Sequence, residues 1–285
     1  MIKIGDTQKP ATQNIGSQKL LDDIVNYWNA AGLCSLESST SIKDEYIASF
    51  ENYIESRVLS DIVAKYCQQI QKSDPVVGLD VGAGLGRFSI VLARYLKHVY
   101  AIEPARQLYV KLGDRCKNIR NISILNESLE SLTLPIMADI AVVSGVLYLY
   151  NDEMLSHFMD KLNSHLRPGG IVIIRDFIVS DGTKKLRSSY VKGAYCYYRN
   201  SDYWRDVAEA RGMNINEIFR SVPPYNHHIL RVMALLKLNW IYSLPIIKGL
   251  AYKRILKTRK GNENFKSGDI NTVFIILEKS MDDSL

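Results

Sequence analysis

The chain has 285 residues, of which 47 % are hydrophobic and 23 % are charged, and its 36 basic and 30 acidic residues give a formal net charge of +6. These proportions are typical of a globular protein and exclude wholesale disorder and collagen-like repetition. A chain of this length buries roughly three quarters of its unfolded surface on folding and needs no disulfide or metal to hold a core. The four cysteines form no CxxC pair and lie at no zinc-finger spacing from a histidine, so we expect reduced thiols and no metal site.

The sequence contains no segment that is long enough to cross a membrane. The longest apolar stretch near the C-terminus runs from Leu238 to Ile247 and contains Pro245, whereas a spanning helix needs about 20 apolar residues. The N-terminal sequence has no apolar region of the kind found in secretory signals. We therefore expect a cytoplasmic protein.

The N-terminal quarter of the chain shows helical periodicity. Apolar residues recur at helical spacing from Lys19 to Ala31 and again from about Asp44 to Ile70, which predicts two helices. We assign residues 1–72 to an N-terminal helical segment or lid.

From Val76 onward, short apolar runs alternate with helical patterns. The predicted strands are Val76 to Val81, His98 to Ile102, Ile122 to Leu125, Ala138 to Ser144, Ile171 to Phe177, Asn214 to Phe219 and Thr272 to Glu278. The predicted helices between them are Phe88 to Leu96, Pro104 to Cys116, Glu153 to Leu166 and Tyr203 to Arg211. This alternation indicates an α/β fold with a mostly parallel sheet and helices on both faces.

The interval from Val222 to Ile270 is too long for a loop in such a fold. It holds nine basic and two acidic residues, a net charge of +7, so the rest of the chain sums to about −1. We assign residues 222–270 to a basic, helical insertion that forms a cap or lid. Four interpretations stay open: peripheral contact with an anionic membrane through residues 228–260, a lid over an anionic acceptor, binding of nucleic-acid phosphates, or a cap packed on the sheet with its lysines in solvent. We favour nucleic acid least, because no RNA-recognition motif is present.

A glycine-rich turn follows the first predicted strand. Asp80 precedes Gly82, Gly84 and Gly86 in a GxGxG pattern that leads into a helix. Glycines allow positive φ and let backbone N–H groups approach a ligand closely. A dinucleotide fingerprint is GxGxxG, and a phosphate loop ends in Gly-Lys-Ser/Thr; the turn matches neither pattern fully. A nicotinamide dinucleotide nevertheless stays the alternative ligand.

Two polar positions follow the next strands. Glu103 comes at the end of the second strand, where a carboxylate can accept hydrogen bonds from both hydroxyls of a ribose. Ser128 and Leu129 follow the third strand, where a polar side chain and the next backbone N–H can bind an adenine edge. Both positions lie at the carboxyl ends of the strands, beside the crevice that binds ligands in open α/β sheets.

This assembly resembles the class I S-adenosylmethionine-dependent methyltransferases over roughly Pro75 to Met213 and the final strand. The residues that carry the resemblance are Asp80 with the three glycines, Glu103, Ser128-Leu129, Ser144 to Tyr148, and Leu166 to Gly170. The resemblance implies a Rossmann-like sheet of seven strands with an antiparallel seventh, formed by residues 73–221 and 271–280. It also implies S-adenosylmethionine as the cofactor and S-adenosylhomocysteine as the product. In this family the Asp–glycine loop holds the methionine portion, the acidic residue holds ribose and the third position holds adenine; Ser144 is placed beside the same cofactor.

Transfer of a methyl group from a sulfonium is an in-line displacement, so catalysis is mostly positioning, with a base when the nucleophile is a hydroxyl. Asp176, at the end of the fifth strand, is the candidate base, and a salt bridge to a neighbouring Lys or Arg is the alternative interpretation. Tyr148 is the candidate for orienting the acceptor, and a packed aromatic rim is the alternative.

A cluster of tyrosines interleaved with basic residues follows strand five. It can either stack on a sugar or a base of a ligand, or form a lid that packs on the domain. Its members are Tyr190, Tyr195, Tyr197 and Tyr198, with Arg187, Lys192 and Arg199.

The acceptor is the least determined part of the prediction. The Asn/Asp-Pro-Pro-Tyr motif of many amino-group methyltransferases is absent after strand four, where the chain continues Ser144-Gly145-Val146-Leu147-Tyr148. We therefore expect O-methylation of a small-molecule, glycan or lipid-linked polar acceptor. The alternatives are N-methylation of an amine or a protein α-amino group, and a catalytically inactive partner protein that binds S-adenosylmethionine or S-adenosylhomocysteine.

Overall fold

The computed structural model describes residues 12–30, 44–70, 75–133, 135–189, 191–224, 232–233, 235–259, 265 and 269–281. Tyr190 and parts of the predicted N-terminal segment and insertion lie outside these residues. The helices are α1 (Thr12–Ala30), α2 (Glu45–Gln69), α3 (Arg87–Leu92), α4 (Arg106–Cys116), α5 (Asp152–Ser164), α6 (Ser201–Glu209) and α7 (Pro245–Arg259). The strands are β1 (Val77–Val81), β2 (His98–Ile102), β3 (Ile122–Leu125), β4 (Ala138–Ser144), β5 (Leu166–Ile178), β6 (Thr183–Arg187), β7 (Tyr195–Arg199), β8 (Met213–Arg220) and β9 (Asn271–Lys279).

The central sheet has the predicted Rossmann-like form. Strands β3, β2, β1, β4 and β5 lie side by side and parallel. Strand β9 pairs antiparallel with β5, and β8 pairs antiparallel with β9. The reversed strand is therefore β9, as predicted for the last strand of the sequence, and the fold class is confirmed.

A β-hairpin that the sequence analysis did not predict extends this sheet. Strands β6 and β7 pair antiparallel, and Arg199 of β7 continues the ladder from Ile178 of β5. The sheet consequently has nine strands among the described residues, not seven. All five residues of β6 are exposed, so this strand lacks the apolar alternation that marks a half-buried strand. The hairpin carries Tyr195, Tyr197 and Tyr198 of the predicted tyrosine cluster.

Helices cover both faces of the sheet. Residues of β4 alternate between two apolar clusters: Ile140 and Val142 pack with residues of α2 and α3, while Ala141 and Val143 pack with residues of α5. All of them are fully buried. Side chains that point alternately to two covered faces explain why this strand is apolar from Ile140 to Val143.

Helix α2 connects the N-terminal segment to the sheet. Asp44 caps it, because its carboxylate accepts hydrogen bonds from the backbone N–H groups of Tyr46 and Ile47 at 3.0 and 3.1 Å. Ile54 and Val58 lie in the cluster on its face of the sheet. Glu55 is buried on the same helix and has no solvent exposure, a position that bears on the site below.

The described part of the basic insertion packs against this helix. Ile255 of α7 is buried in the cluster formed with α2, and the hydroxyl of Tyr252 donates a hydrogen bond to Asp61 of α2. Arg259 forms an ion pair with Glu217 of β8. The inner face of α7 therefore packs on α2 and β8. None of the described helices combines the length and the apolar run that a bilayer crossing requires.

Candidate active site

A cleft opens where β1, β2 and β4 end, the edge of an open α/β sheet at which ligands bind. Its wall includes most residues predicted to hold the cofactor, together with Tyr148: Asp80, Gly82, Gly84, Glu103, Ser128, Leu129 and Ser144. Among the described residues, Gly86 and Asp176 do not line the cleft. The local succession of strand, turn and helix thus brings together residues that are up to about 70 positions apart in the chain.

The glycines of the loop have different structural roles. Gly84 has φ +57°, and a Cβ added to it would meet nothing within 4 Å. Gly86 has φ +78° and caps the start of α3, where a Cβ would collide with the side chain of Leu112 in α4. Gly84 therefore keeps the cleft open beside the loop, whereas Gly86 allows α3 to pack against α4.

Asp80 lies at the floor of the cleft, and only 2 % of it is exposed. Its carboxylate accepts a hydrogen bond from the Ser89 hydroxyl at 2.5 Å. Burial raises its pKa to about 6, although Ser89 and the nearby Arg87 act in the opposite direction. A cationic group of a ligand would favour the ionised form further, because its charge would add to that of Arg87.

Glu103 links the glycine loop to the start of α4. Its Oε2 accepts a hydrogen bond from the Gly84 N–H, and its Oε1 accepts one from the Ala105 N–H, both at 2.8 Å. Burial raises the pKa of Glu103 to about 7, although these two hydrogen bonds act to lower it. Each carboxylate oxygen has a second lone-pair direction, so this side chain can accept two further hydrogen bonds from a ligand.

An aromatic wall faces the part of the cleft beyond Ser144. Tyr148 lies edge-on to Phe177, with ring centroids 5.1 Å apart, and both residues line the cleft. Tyr198 of the hairpin stacks on Tyr148 at 6.4 Å. The predicted tyrosine cluster therefore contributes support for Tyr148.

Asp176 is buried next to this wall and is not among the residues that line the cleft. Its Oδ2 accepts hydrogen bonds from the backbone N–H groups of Leu147 and Tyr148 at 2.9 and 3.2 Å, and its Oδ1 accepts one from that of Phe177 at 2.8 Å. Burial raises its pKa to about 6. The structure brings Asp176 to the turn that carries Tyr148, which the carboxylate holds, and not to the predicted cofactor-binding residues that line the cleft.

Helix α1 supplies an apolar wall on the outer side of the cleft. The residues that face it are Leu21, Ile24, Val25 and Trp28. The side chain of Asn29 accepts a hydrogen bond from the backbone N–H of Gln107 at 3.0 Å, which attaches α1 to α4. The helix predicted from residues 19–31 thus lies over the cleft.

Comparison with known proteins identifies the family of this site. Residues 79–170 match the family model described as a methyltransferase domain, a stretch that contains the glycine loop and Glu103. The stretch from residue 79 to residue 170 is a methyltransferase domain, in agreement with the resemblance to the class I S-adenosylmethionine-dependent methyltransferases. Phosphoethanolamine N-methyltransferase 1 of Zea mays is 28 % identical to this chain over 101 residues, which are 34 % of this chain and 20 % of the plant protein. The match thus spans about a fifth of the length of that curated relative.

Solved structures with the same fold include enzymes that methylate different atoms. The 1,6-didemethyltoxoflavin-N1-methyltransferase of Burkholderia thailandensis aligns over 98 % of this chain and 94 % of its own, with a TM-score of 0.58 and 12 % identity. Phosphoethanolamine N-methyltransferase 1 of Haemonchus contortus aligns over 94 % of this chain and 51 % of its own, with a TM-score of 0.58 and 14 % identity. An O-methyltransferase from a trans-AT PKS multienzyme of Brevibacillus brevis aligns over 79 % and 72 %, with a TM-score of 0.52 and 17 % identity. At these identities the likeness shows the fold alone.

The protein also has a buried ion network that the sequence analysis missed. The carboxylate of Glu55 accepts hydrogen bonds from Arg87 Nη1 and Arg175 Nε, both at 2.6 Å, and from the Ser221 hydroxyl at 2.8 Å. Arg87 and Arg175 line the cleft, and Arg87 also donates a hydrogen bond to Ser144 Oγ at 3.1 Å. A signal was present in the sequence, because Glu55 lies at helical spacing from Val58 and Leu59 on the apolar face of α2 and so requires a buried partner.

Proposed function

We propose that this chain transfers the methyl group of S-adenosylmethionine to an oxygen atom of a small or glycan-like polar acceptor. The observation that carries the proposal is Glu103, whose two oxygens accept hydrogen bonds from Gly84 and Ala105 and keep free lone pairs at the cleft. The arrangement suits the ribose hydroxyls of the cofactor. Asp80 at the floor suits its amino-acid end, and Ser128 and Leu129 suit its adenine.

The bound cofactor would supply an activated methyl group on a sulfonium, so the protein's own contribution is binding and orientation. The apolar side chains of α1, including Trp28, would exclude water from the cleft. Tyr148, supported by Phe177 and Tyr198, would orient the acceptor oxygen in line with the methyl group. On transfer the sulfur–methyl bond would break as the oxygen–methyl bond forms, and the hydroxyl proton would pass to solvent.

The assignment of oxygen is supported by the residues after β4. Ser144 and the following turn lack the amide side chain and the proline pair that hold an amino group in many N-methyltransferases. A phenol hydroxyl in the wall, that of Tyr148, is a group that can hydrogen-bond to an acceptor hydroxyl. Asp176 is proposed as a positioning residue for the Tyr148 turn, because its carboxylate accepts hydrogen bonds from three backbone N–H groups.

N-methylation of an amine is the second candidate. It is favoured by the sequence match to a phosphoethanolamine N-methyltransferase over 101 residues. An amine acceptor needs only to lose a proton, so it requires no base in the wall.

Titration calorimetry tests the cofactor part of the proposal. We expect wild-type protein to bind S-adenosylhomocysteine and not NAD, and we expect Glu103→Gln to weaken binding at least about tenfold, because hydrogen bonds to a charged acceptor contribute roughly 1.5–3 kcal/mol each. Glu209→Gln, the same substitution at an exposed position of α6, is the matched control. Tight binding of NAD, or equal affinities in both variants, would contradict the proposal.

Incubation with methyl-labelled S-adenosylmethionine and fractionated cell extract tests the acceptor. Carbon NMR of the labelled product distinguishes an O-methyl from an N-methyl group. Binding of S-adenosylhomocysteine without label in any fraction would indicate a protein that binds the cofactor and catalyses nothing.

A further inference from the structure

The excess of basic residues of the chain is concentrated in one segment of the sequence that contains no acidic residue. Residues 218–262 hold nine basic residues and no aspartate or glutamate, so this segment carries +9 and the remainder of the chain carries −3. Helix α7 lies in this segment. Surface segments of proteins ordinarily intersperse both signs of charge, so a one-sided segment indicates an electrostatic partner.

The inner face of α7 is occupied by contacts within the protein. Ile255 is buried against α2, Tyr252 bonds to Asp61 and Arg259 pairs with Glu217. The ammonium group of Lys248 lies over the ring of Tyr53 at 5.5 Å. These contacts fix the rotation of the helix, and therefore which of its residues face outward.

The outward residues form one stripe along α7. They are Ile246, Leu250, Lys253, Arg254 and Lys257, and all are exposed. Their spacing of three or four residues places them on one side of a helix. Ile246 is 69 % and Leu250 is 60 % exposed. The chain before α7 adds exposed apolar residues, Leu235 at 83 % and Leu236 at 61 %, together with Trp240. We refer to these eight residues as the outer surface of α7.

We propose that the outer surface of α7 docks on an anionic lipid bilayer. Leucine and isoleucine side chains can enter the boundary of the acyl chains while lysine and arginine contact anionic headgroups, and tryptophan prefers that interface. The proposal does not depend on methyl transfer.

The composition of this surface favours a bilayer over other anionic or apolar partners. Exposed aliphatic side chains such as Leu235 and Ile246 have no role on a phosphodiester backbone, which is bound through charge and stacking. A second copy of the chain related by a two-fold axis would place the basic stripe near its own image, and like charges that face each other are destabilising.

Co-sedimentation of the full chain with vesicles tests the proposal. We expect binding to phosphatidylglycerol mixed with phosphatidylcholine, weak binding to phosphatidylcholine alone, and a decrease with added salt. Neutralising the stripe with Lys253→Gln, Arg254→Gln and Lys257→Gln should lower the partition coefficient by roughly 100-fold, because each basic residue near an anionic surface contributes about a factor of five.

Two further variants separate docking from a general effect of charge. Arg94→Gln, Lys97→Gln and Lys117→Gln remove the same charge from exposed positions elsewhere and should leave partition within about threefold of wild type. Ile246→Gln with Leu250→Gln keeps the charge and should lower partition at least about tenfold.

The proposal is overturned if the triple variants that include Lys253→Gln and Arg94→Gln lose vesicle binding equally. It is also overturned if wild type does not bind anionic vesicles, or if Ile246→Gln with Leu250→Gln binds them like wild type. A wild-type dimer that Ile246→Gln with Leu250→Gln dissociates, without vesicle binding, would instead identify a contact between copies. Tight binding to single-stranded RNA without vesicle binding would likewise overturn it.

Discussion

Replacing Glu55 by Gln tests whether the buried ion network holds the acceptor side of the cleft. The Glu55 carboxylate accepts hydrogen bonds from Arg87 and Arg175 at 2.6 Å, and its side chain has no solvent exposure. Glutamine has the same size but no charge, and its amide presents an N–H group where the carboxylate had an oxygen. One guanidinium group would then lose its acceptor in a buried place.

The expected loss of stability follows from this burial. Removing one member of a buried ion pair costs about 3–5 kcal/mol, because the remaining charge stays desolvated. Glu51 lies 3.9 Å from Arg175 and compensates part of the loss, so we expect a decrease of about 3 kcal/mol in the free energy of unfolding at neutral pH. We also expect weaker binding of S-adenosylhomocysteine, since Arg87 holds Ser144 in the wall of the cleft.

The effect should depend on pH in a defined direction. Burial acts to raise the pKa of Glu55, but Arg175 and Arg87 outweigh it and hold the pKa below its ordinary value. A carboxyl group whose pKa is lowered in the folded state stabilises the fold above its unfolded pKa, and loses that contribution as the pH falls through its folded pKa. The difference between wild type and Glu55→Gln should therefore shrink in acid.

Urea unfolding across this pH range measures the difference. Glu51→Gln is the matched control, one turn earlier on α2, where the side chain is 12 % exposed and lies farther from Arg175; we expect a cost below about 1 kcal/mol. The reasoning is refuted if Glu55→Gln costs no more than Glu51→Gln, or if the difference between wild type and Glu55→Gln is constant with pH.

Three further predictions concern the wall of the cleft. Burial raises the pKa of Glu103 to about 7 and that of Asp80 to about 6, and ligand groups favour the ionised form of both, so the affinity for S-adenosylhomocysteine should rise as the pH increases to about 7. In calorimetry Glu103→Gln should lose the part of this rise near pH 7 and keep the part near pH 6, and an unchanged profile would contradict the assignment. Asp176→Asn should lower the free energy of unfolding by about 1–3 kcal/mol in urea titrations, because the amide turns an N–H group toward backbone N–H groups; an unchanged midpoint would argue against the positioning role. Trp28→Ala should speed dissociation of S-adenosylhomocysteine in stopped-flow measurements by roughly 30-fold, because truncating an aromatic anchor of a binding site costs about 2 kcal/mol, and an unchanged rate would show that α1 does not close over the ligand.

The cofactor side of the cleft could be predicted from sequence because its determinants are local. The left-handed backbone at Gly84 requires glycine, and the residue after a parallel strand necessarily lies at the carboxyl edge of the sheet. Glu103 follows from the same rule. Strand β4 was recognisable because both its faces are covered, so that the four residues from Ile140 to Val143 are all apolar.

The direction of the Asp176 side chain could not be predicted in the same way. Its position at the end of β5 is local, but the turn that it holds, Leu147 to Tyr148, is nearly 30 residues away in the chain. Three backbone N–H groups compete with the cleft for this carboxylate. The β6–β7 hairpin was not predicted for a related reason. Every residue of β6 is exposed, so its sequence lacks the alternation of apolar and polar residues that indicates a strand.

The distribution of these contacts explains why relatives are a poor guide to the acceptor. The matched methyltransferase domain spans residues 79–170 and contains Glu103 and the glycine loop. Trp28 of α1, Glu55 of α2 and Tyr198 of the hairpin all lie outside it, yet each shapes or supports the rest of the cleft. Glu55 and Arg175 are 120 residues apart in sequence, so this pairing forms only when α2 packs on the sheet. Exchange of the β6–β7 hairpin should therefore change acceptor choice while cofactor binding persists, because the hairpin supports the Tyr148 wall, whereas the glycine loop and Glu103 lie in another part of the chain.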